Sequence, residues 1–204
     1  MEDNNKLLFK KNKFSSKVSA RKYFKEIRKT NNLFTDSLII DRTKDYIKHL
    51  EAKKGLDKYI GIYWPLEGEA DLRPLKKYVN SKLALPACTE KGTITYHEWT
   101  NDPLEKDIYG IPSPLSQPTL KASEIKLLIV PAIAIDLMGT RLGYGSGSFD
   151  RLREKTIWKA MEALVVIPNK CISSFLLPKD DWDIPFNGWI NEKEIYKIKY
   201  LDNK

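Results

Sequence analysis

Histidine and cysteine are nearly missing from this chain. His49, His97, Cys88 and Cys171 are the only four such residues among 204. Imidazole-rich metal sites and Ser-His-Asp catalysis therefore have little to draw on. His97 sits beside Tyr96 and near Trp99 in a strand-like run and reads as structural. The two cysteines lie far apart with no C-x-x-C pattern, which speaks against a zinc site and for two reduced, buried thiols. Long apolar runs are lacking too: none approaches the roughly 18–20 residues that span a bilayer. The opening stretch "MEDNNKLLFKKNKF" has no signal-peptide core, and its early acidic residues argue against a transit peptide. The expected location is the cytoplasm. Internal repeats and low-complexity segments are absent from the sequence.

What is present fits a globular chain. Hydrophobic residues make up 42% and charged residues 30%, enough of the former for a sizeable core. The net charge of +8 is unevenly spread, because the first 30 residues hold ten basic side chains against three acidic ones. Such a segment could bind nucleic acid through phosphates, steer an anionic small ligand, or form a solvated helix face. The nucleic-acid reading finds no support elsewhere, since the aromatics are dispersed without a base-stacking motif.

Along the chain, residues 1–14 read as a flexible basic tail and 15–204 as one domain. Ser15 or Ser16 is placed to cap a helix carrying Val18, Phe24 and Ile27. A second helix is expected from residue 35 to Gly55, a good stop signal. "KYIGIYW" (58–64), "KLALPAC" (82–88) and "TITYHEW" (93–99) read as strands, and "ADLRPLKKYVNS" (70–81) as a helix with Pro74 in its first turn. "EIKLLIVPAIAID" (124–136) is the most continuous apolar stretch, so it predicts a central strand buried on both faces. A helix near 148–160, a strand over 162–168 and a strand over 194–200 complete the pattern. Strands alternating with helices predict an α/β fold: a single domain with a mostly parallel central sheet flanked by helices on both faces.

In such folds ligands sit where a strand's carboxyl end turns into a helix. "GTRLGYGSGSFDRL" (139–152) occupies such a place, with glycines at 143, 145 and 147 and arginines at 141 and 151. Bare backbone N–H groups leading into a helix make a nest for an anion, phosphate above all. On the glycine spacing alone, a tight turn that binds nothing is an equal alternative. The spacing is neither the dinucleotide G-x-G-x-x-G nor a P-loop, because Ser148 and Phe149 follow Gly147.

The longer string "VPAIAIDLMGTRLGYGSGSFDRL" resembles the signature region of the 5-formyltetrahydrofolate cyclo-ligase family. "YWPLEGEADLRPL" (63–75), "WTNDPLEKDIYGIPSP" (99–114) and the Lys17-x-x-x-Arg21 pair resemble further segments of it. The resemblance implies an enzyme that uses ATP and Mg²⁺ to convert 5-formyltetrahydrofolate to 5,10-methenyltetrahydrofolate. By that chemistry the formyl oxygen is phosphorylated, N10 attacks the activated carbon, and phosphate leaves, with ADP as the other product.

Carried over by residue, the resemblance gives Lys17 and Arg21 contacts to ATP phosphates. The nucleotide loop would run through Arg141, Gly143, Tyr144, Gly145, Ser146, Gly147, Ser148 and Phe149. Asp150 would hold Mg²⁺, Glu69 would bond the pterin ring, and Trp64 and Tyr109 would wall it. The catalytic set would be Lys17, Arg141 and Asp150. The implied partner is the small-molecule substrate alone, with neither nucleic acid nor membrane, for a chain acting as a monomer. Departures from the family pattern stand out. Ser148 and Phe149 replace two aromatics, often both tyrosine, Ser146 fills a position commonly Gly or Lys, and a Phe-Glu-x-Gln segment is missing after residue 168. Asn187 of "DIPFN" stands where a carboxylate would assist the metal, leaving a neutral carbonyl ligand there. A catalytically weakened relative that binds a nucleotide or phosphorylated ligand is the alternative these departures motivate.

Overall fold

A computed structural model describes residues 13–30, 33–53 and 57–198. Most of the expected basic tail, the stop at Gly55 and the end of the last expected strand lie outside the described residues.

The centre of the fold is the stretch expected to be most buried. Strand β4 is preceded in the chain by β1 (Tyr59–Gly61), β2 (Leu83–Glu90) and β3 (Thr93–Glu98), and itself spans Ile125–Pro131. It is followed by β5 (Glu162–Val166), β6 (Gly188–Ile190) and β7 (Ile195–Lys197). The seven form one sheet in the order β7-β6-β5-β4-β1-β2-β3. The five inner strands run parallel, and the edge strands β3 and β7 are antiparallel to their neighbours. Alternation along β4 divides the core, since successive side chains on a strand point to opposite faces. Leu128 and Val130 join one apolar cluster, and Leu127 and Ile129 the other.

Helices cover both faces. Helix α1 (Lys17–Lys29) brings Ala20 and Phe24 to the first cluster, and α2 (Leu33–Glu51) brings Ile39 and Ile47 to the second. Ser16 caps α1 through a reciprocal pair of bonds: its Oγ accepts the Ser19 N–H at 3.2 Å, and Ser19 Oγ accepts the Ser16 N–H at 3.1 Å. Val18, expected among the apolar positions, is 71% exposed and lies on the outer side. Helices α3 (Ser148–Glu154) and α4 (Thr156–Ala160) split the expected 148–160 helix at Lys155. No helix among the described residues is long and apolar enough to cross a membrane.

Two expectations need correction, and one strand has no counterpart in the sequence pattern. The 70–81 helix is a short 3-10 turn, Arg73–Lys77; beyond it the Asn80 and Ser81 amides donate to the Glu51 carboxylate, which turns the chain into β2. The 124–136 strand breaks after Pro131, and residues 134–136 instead join a small sheet with 141–142 and 172–173. The glycine segment therefore follows a hairpin rather than the central strand directly. Asp136 closes that hairpin: its Oδ1 accepts the Met138 and Thr140 N–H groups, and its Oδ2 accepts that of Leu177, each at 2.9 Å. That strand is β6, which arises within "NGWIN", too short to carry a periodic signal. Its Gly188 lies so close to the Tyr196 carbonyl that a Cβ would clash.

His97 behaves as structural, with Nε2 at 2.8 Å from Thr95 Oγ1 and Nδ1 at 2.6 Å from the Gln117 carbonyl. Cys88 and Cys171 are free and buried.

Candidate active site

At the break after Pro131, arginines from two different elements take two successive carbonyls. Arg141 Nε donates to the Pro131 carbonyl at 2.8 Å, and Arg28 Nη1 to the Ala132 carbonyl at 2.6 Å. Two cavities open on either side of this crossing, and they share Arg141, Tyr144, Ser146, Ser148 and Phe149.

The first cavity, about 200 Å³, lies between α1 and residues 143–150. Its floor is backbone. Gly145 and Gly147 have φ of 116° and 66°, conformations that favour glycine, and a Cβ at Gly143 would come within 2.7 Å of the Arg141 guanidinium. Arg21 Nε donates to the Gly143 carbonyl at 2.8 Å, tying α1 to the loop. One turn earlier Lys17 faces the same space. Burial would lower its pKa, but hydrogen bonds to Asp180 at 2.6 Å and Asp183 at 2.5 Å outweigh that and hold it above the usual lysine value. Arg141 is almost fully buried, which lowers its pKa, and Asp150 faces it at 3.7 Å. Arg151 lines the cavity as well, donating to the Gly92 carbonyl at 3.0 Å and to that of Ser146. Backbone amides and four cations, balanced by Asp150, Asp180 and Asp183, surround a small polar space that suits a chain of phosphates.

The second cavity, about 310 Å³, is walled by Trp64, Tyr109, Leu66, Ile94, Ile111 and Phe149. Trp64 packs edge-on against Trp99 at 6.3 Å with the Arg73 guanidinium 4.7 Å over its ring, and keeps another side open to the cavity. Glu69 lies among these apolar groups and is 6% exposed. Its Oε2 accepts the Leu66 N–H at 2.9 Å, whereas its buried Oε1 has no hydrogen-bond partner. Burial pushes the Glu69 carboxyl up; the Leu66 amide, then the Arg28 charge, then Tyr144 and Arg141 pull it back in part. A buried acceptor left open costs the fold on the order of 1–3 kcal/mol unless a ligand donates to it. Flat apolar walls with one open carboxylate oxygen match a planar heterocycle that carries N–H donors.

The structure thus brings together Lys17, Arg21, Arg141, residues 143–149 and Asp150 around one cavity, and Trp64, Glu69 and Tyr109 around its neighbour. Asn187 lies apart. It lines neither cavity, its Oδ1 accepts the Ala163 N–H at 2.8 Å, and its own N–H donates to the Ala163 carbonyl at 2.9 Å. Its side chain secures the entry to β6 rather than facing Asp150. Asp180, Trp182 and Asp183 line the first cavity and were not among the expected site residues. The acidic run "DDWD" was a visible signal, and Asp183 opens the very "DIPFN" segment in which Asn187 drew the attention.

As for a metal, no cluster of three or more His, Cys, Asp or Glu among the described residues is arranged to hold one. Mg²⁺ needs none, because it binds through one or two carboxylates plus substrate phosphates and waters. Asp150 at the cavity wall fits that demand.

Known proteins align with this arrangement. The sequence profile of the 5-formyltetrahydrofolate cyclo-ligase family matches residues 13–191. The 5-formyltetrahydrofolate cyclo-ligase of Haemophilus influenzae is 27% identical over 137 residues, 63% of this chain and 72% of its own. That of Escherichia coli K12 is 23% identical over 147 residues, 68% of this chain and 80% of its own. Among solved structures, the 5,10-methenyltetrahydrofolate synthetase of Aquifex aeolicus superposes with a TM-score of 0.74 at 26% identity, covering 92% of this chain and 95% of that one. The Mycoplasma pneumoniae enzyme of the same name, at 17% identity and a TM-score of 0.67 over 87% of this chain and 99% of its own, shares the fold.

Proposed function

The chain belongs to the 5-formyltetrahydrofolate cyclo-ligase family, and from that premise we propose that it converts 5-formyltetrahydrofolate to 5,10-methenyltetrahydrofolate with ATP and Mg²⁺, releasing ADP and phosphate. One observation carries this reading: a phosphate-sized polar cavity and a heterocycle-sized apolar cavity share a wall that contains a buried arginine. A reaction that moves a phosphoryl group onto a folate formyl oxygen needs those two spaces in contact.

The chain's residues then divide the work. Residues 143–149 cradle the phosphates with backbone N–H groups, and Lys17 and Arg21 bind them from one face of α1, four residues apart. Lys17 exchanges its aspartate partners for phosphate oxygens. Glu69 accepts from the pterin N–H groups through its open Oε1, and Trp64 and Tyr109 hold the ring flat. Arg141, at the shared wall, neutralises charge on the transferring group. The chemistry asks mainly for alignment, which two rigid neighbouring cavities supply. Asp150 would hold Mg²⁺, which when bound neutralises phosphate charge. The Ser148 hydroxyl, 3.0 Å from that of Ser146 at the shared wall, stands where the family commonly has an aromatic ring. We place the enzyme in the cytoplasm as a monomer with no nucleic-acid or membrane partner.

The test is to mix the purified protein with 5-formyltetrahydrofolate and MgATP and follow the ultraviolet absorbance of the methenyl product. An ATP-dependent rise that is lost in Asp150→Ala is the expected outcome. No rise, from protein shown to be folded and to bind ATP, would replace this reading with that of a weakened relative.

A further inference from the structure

Arg28 closes α1, seven residues beyond Arg21 on the same helical face, yet only 7% of it is exposed. Its guanidinium reaches three separate segments. Nε donates to the Gly68 carbonyl at 2.5 Å, and Nη1 donates to the Ala132 carbonyl at 2.6 Å and to the Tyr144 hydroxyl at 3.4 Å. Gly68 adopts a left-handed φ of 76° directly before Glu69, and Arg28 Nε lies 3.6 Å from where a Cβ on Gly68 would stand. The loop that carries Glu69 is thus seated on this one side chain. None of the roles assigned above uses it.

We propose that Arg28 is a positioning residue for the folate step: it fixes the Glu69 loop against α1 and keeps the Glu69 carboxylate turned into the apolar cavity. The inference rests on the reading of that cavity as the pterin site. Two observations and one general property of the guanidinium support it. Arg28 is bonded to the residue preceding Glu69. Glu69 has one oxygen held by its own loop and one open. A fork with a fixed geometry can hold two carbonyls of different segments at once, which a flexible ammonium cannot.

The groups acting on Glu69 are the Leu66 amide of its own loop, Arg28 from α1, and Tyr144 and Arg141 from the glycine segment; Glu69 and Asp71 in turn act on Tyr63. Asp36 of α2 acts on the adjoining Tyr63. Of the charges, Arg28 pulls the carboxyl down most against its burial. Without it the acid would rise further, and a protonated carboxyl facing the pterin N–H groups loses half its accepting power. Weak binding below some pH should therefore extend to higher pH when Arg28 is removed.

The experiment is calorimetric titration of 5-formyltetrahydrofolate and, separately, of ATP into wild type, Arg28→Met, Arg28→Lys, Glu69→Gln and the Arg28→Met/Glu69→Gln double variant between pH 5 and pH 8. In Arg28→Met the acid limb of folate affinity is expected to move to higher pH, with affinity near neutrality weakened about tenfold and ATP affinity changed less than about twofold. Arg28→Lys, which keeps the charge and loses the fork, should leave the limb in place and weaken folate binding only. Neither Glu69→Gln background should show the limb. A limb unmoved in Arg28→Met, or moved equally when Glu69 is Gln, would overturn the proposal. Should Arg28→Met not fold, Arg28→Lys decides: equal losses for folate and ATP would sink it. If Glu69→Gln leaves both limb and folate affinity intact, the pterin reading of the cavity itself fails.

Discussion

The cavity under α1 and the cavity beside Trp64 share five residues, yet they meet a ligand in opposite ways. In the first, every strong charge is already engaged: Lys17 with Asp180 and Asp183, Arg21 with the Gly143 carbonyl, Arg141 with the Pro131 carbonyl and near Asp150. Binding there is an exchange of partners. In the second, Arg141 and Asp107 have partners, but the Glu69 carboxylate is left half-satisfied in an apolar setting. Binding there completes an interaction that the free protein lacks. Exchange costs little stability beforehand and gives a modest net gain; completion costs stability beforehand and rewards only a ligand with donors in the right place.

Arg141 belongs to both cavities, so its removal tests whether they act together. Arg141→Met should lower kcat by about 1000-fold, more than the sum of its effects on either ligand's affinity, as read by single-turnover kinetics beside equilibrium titrations. A loss confined to one ligand's binding would mean the shared wall is only a partition.

A reciprocal pair of variants sharpens the difference. Lys17→Met should weaken ATP binding about tenfold and leave 5-formyltetrahydrofolate untouched, while Trp64→Ala should do the reverse by a similar factor. Titration calorimetry with each ligand alone reads both, and a variant that weakens both ligands equally would break the division.

The smallest effect is on stability. Burial raises the folded-state pKa of Glu69, so ionising it costs the fold. That cost is absent below the ordinary glutamate range, grows as pH rises through it, and is complete above the folded value. Glu69→Gln should accordingly raise Tm by a few degrees near pH 7.5, with the gain shrinking as pH falls toward 4.5. Thermal melts at the two pH values check this, and a lower Tm for the variant at pH 7.5 would show that the open oxygen is harmless.

The sequence made local features plain. The cap at Ser16 and the burial of β4 depend on residues a few positions apart and stand where the pattern put them, whereas the strand's end at Pro131 and the hairpin before the glycine segment do not show in it. The helix pair Lys17 and Arg21 was legible for the same reason, since four-residue spacing fixes a shared face. What stayed hidden was set by distance along the chain. That Lys17 meets Asp180 and Asp183, or that Arg28 seats the loop before Glu69, follows from how α1 docks across the crossing after Pro131, and no periodicity encodes docking. Arg28 showed only as one more basic residue on a basic helix. Asn187 misled because a motif position implies a direction for its side chain, and here the amide was already needed to anchor β6.

The lysine clasp also says something about when the protein becomes itself. Lys17 and its partner Asp180 are 163 residues apart, so the ring they close takes in most of the polypeptide. A chain still emerging from the ribosome can pair β1, β2 and β4 long before Asp180 has been added. The phosphate side of the site has no far wall until then, and a product terminated between β5 and that residue would carry five of the seven strands while lacking the far wall of the place where the nucleotide is proposed to sit.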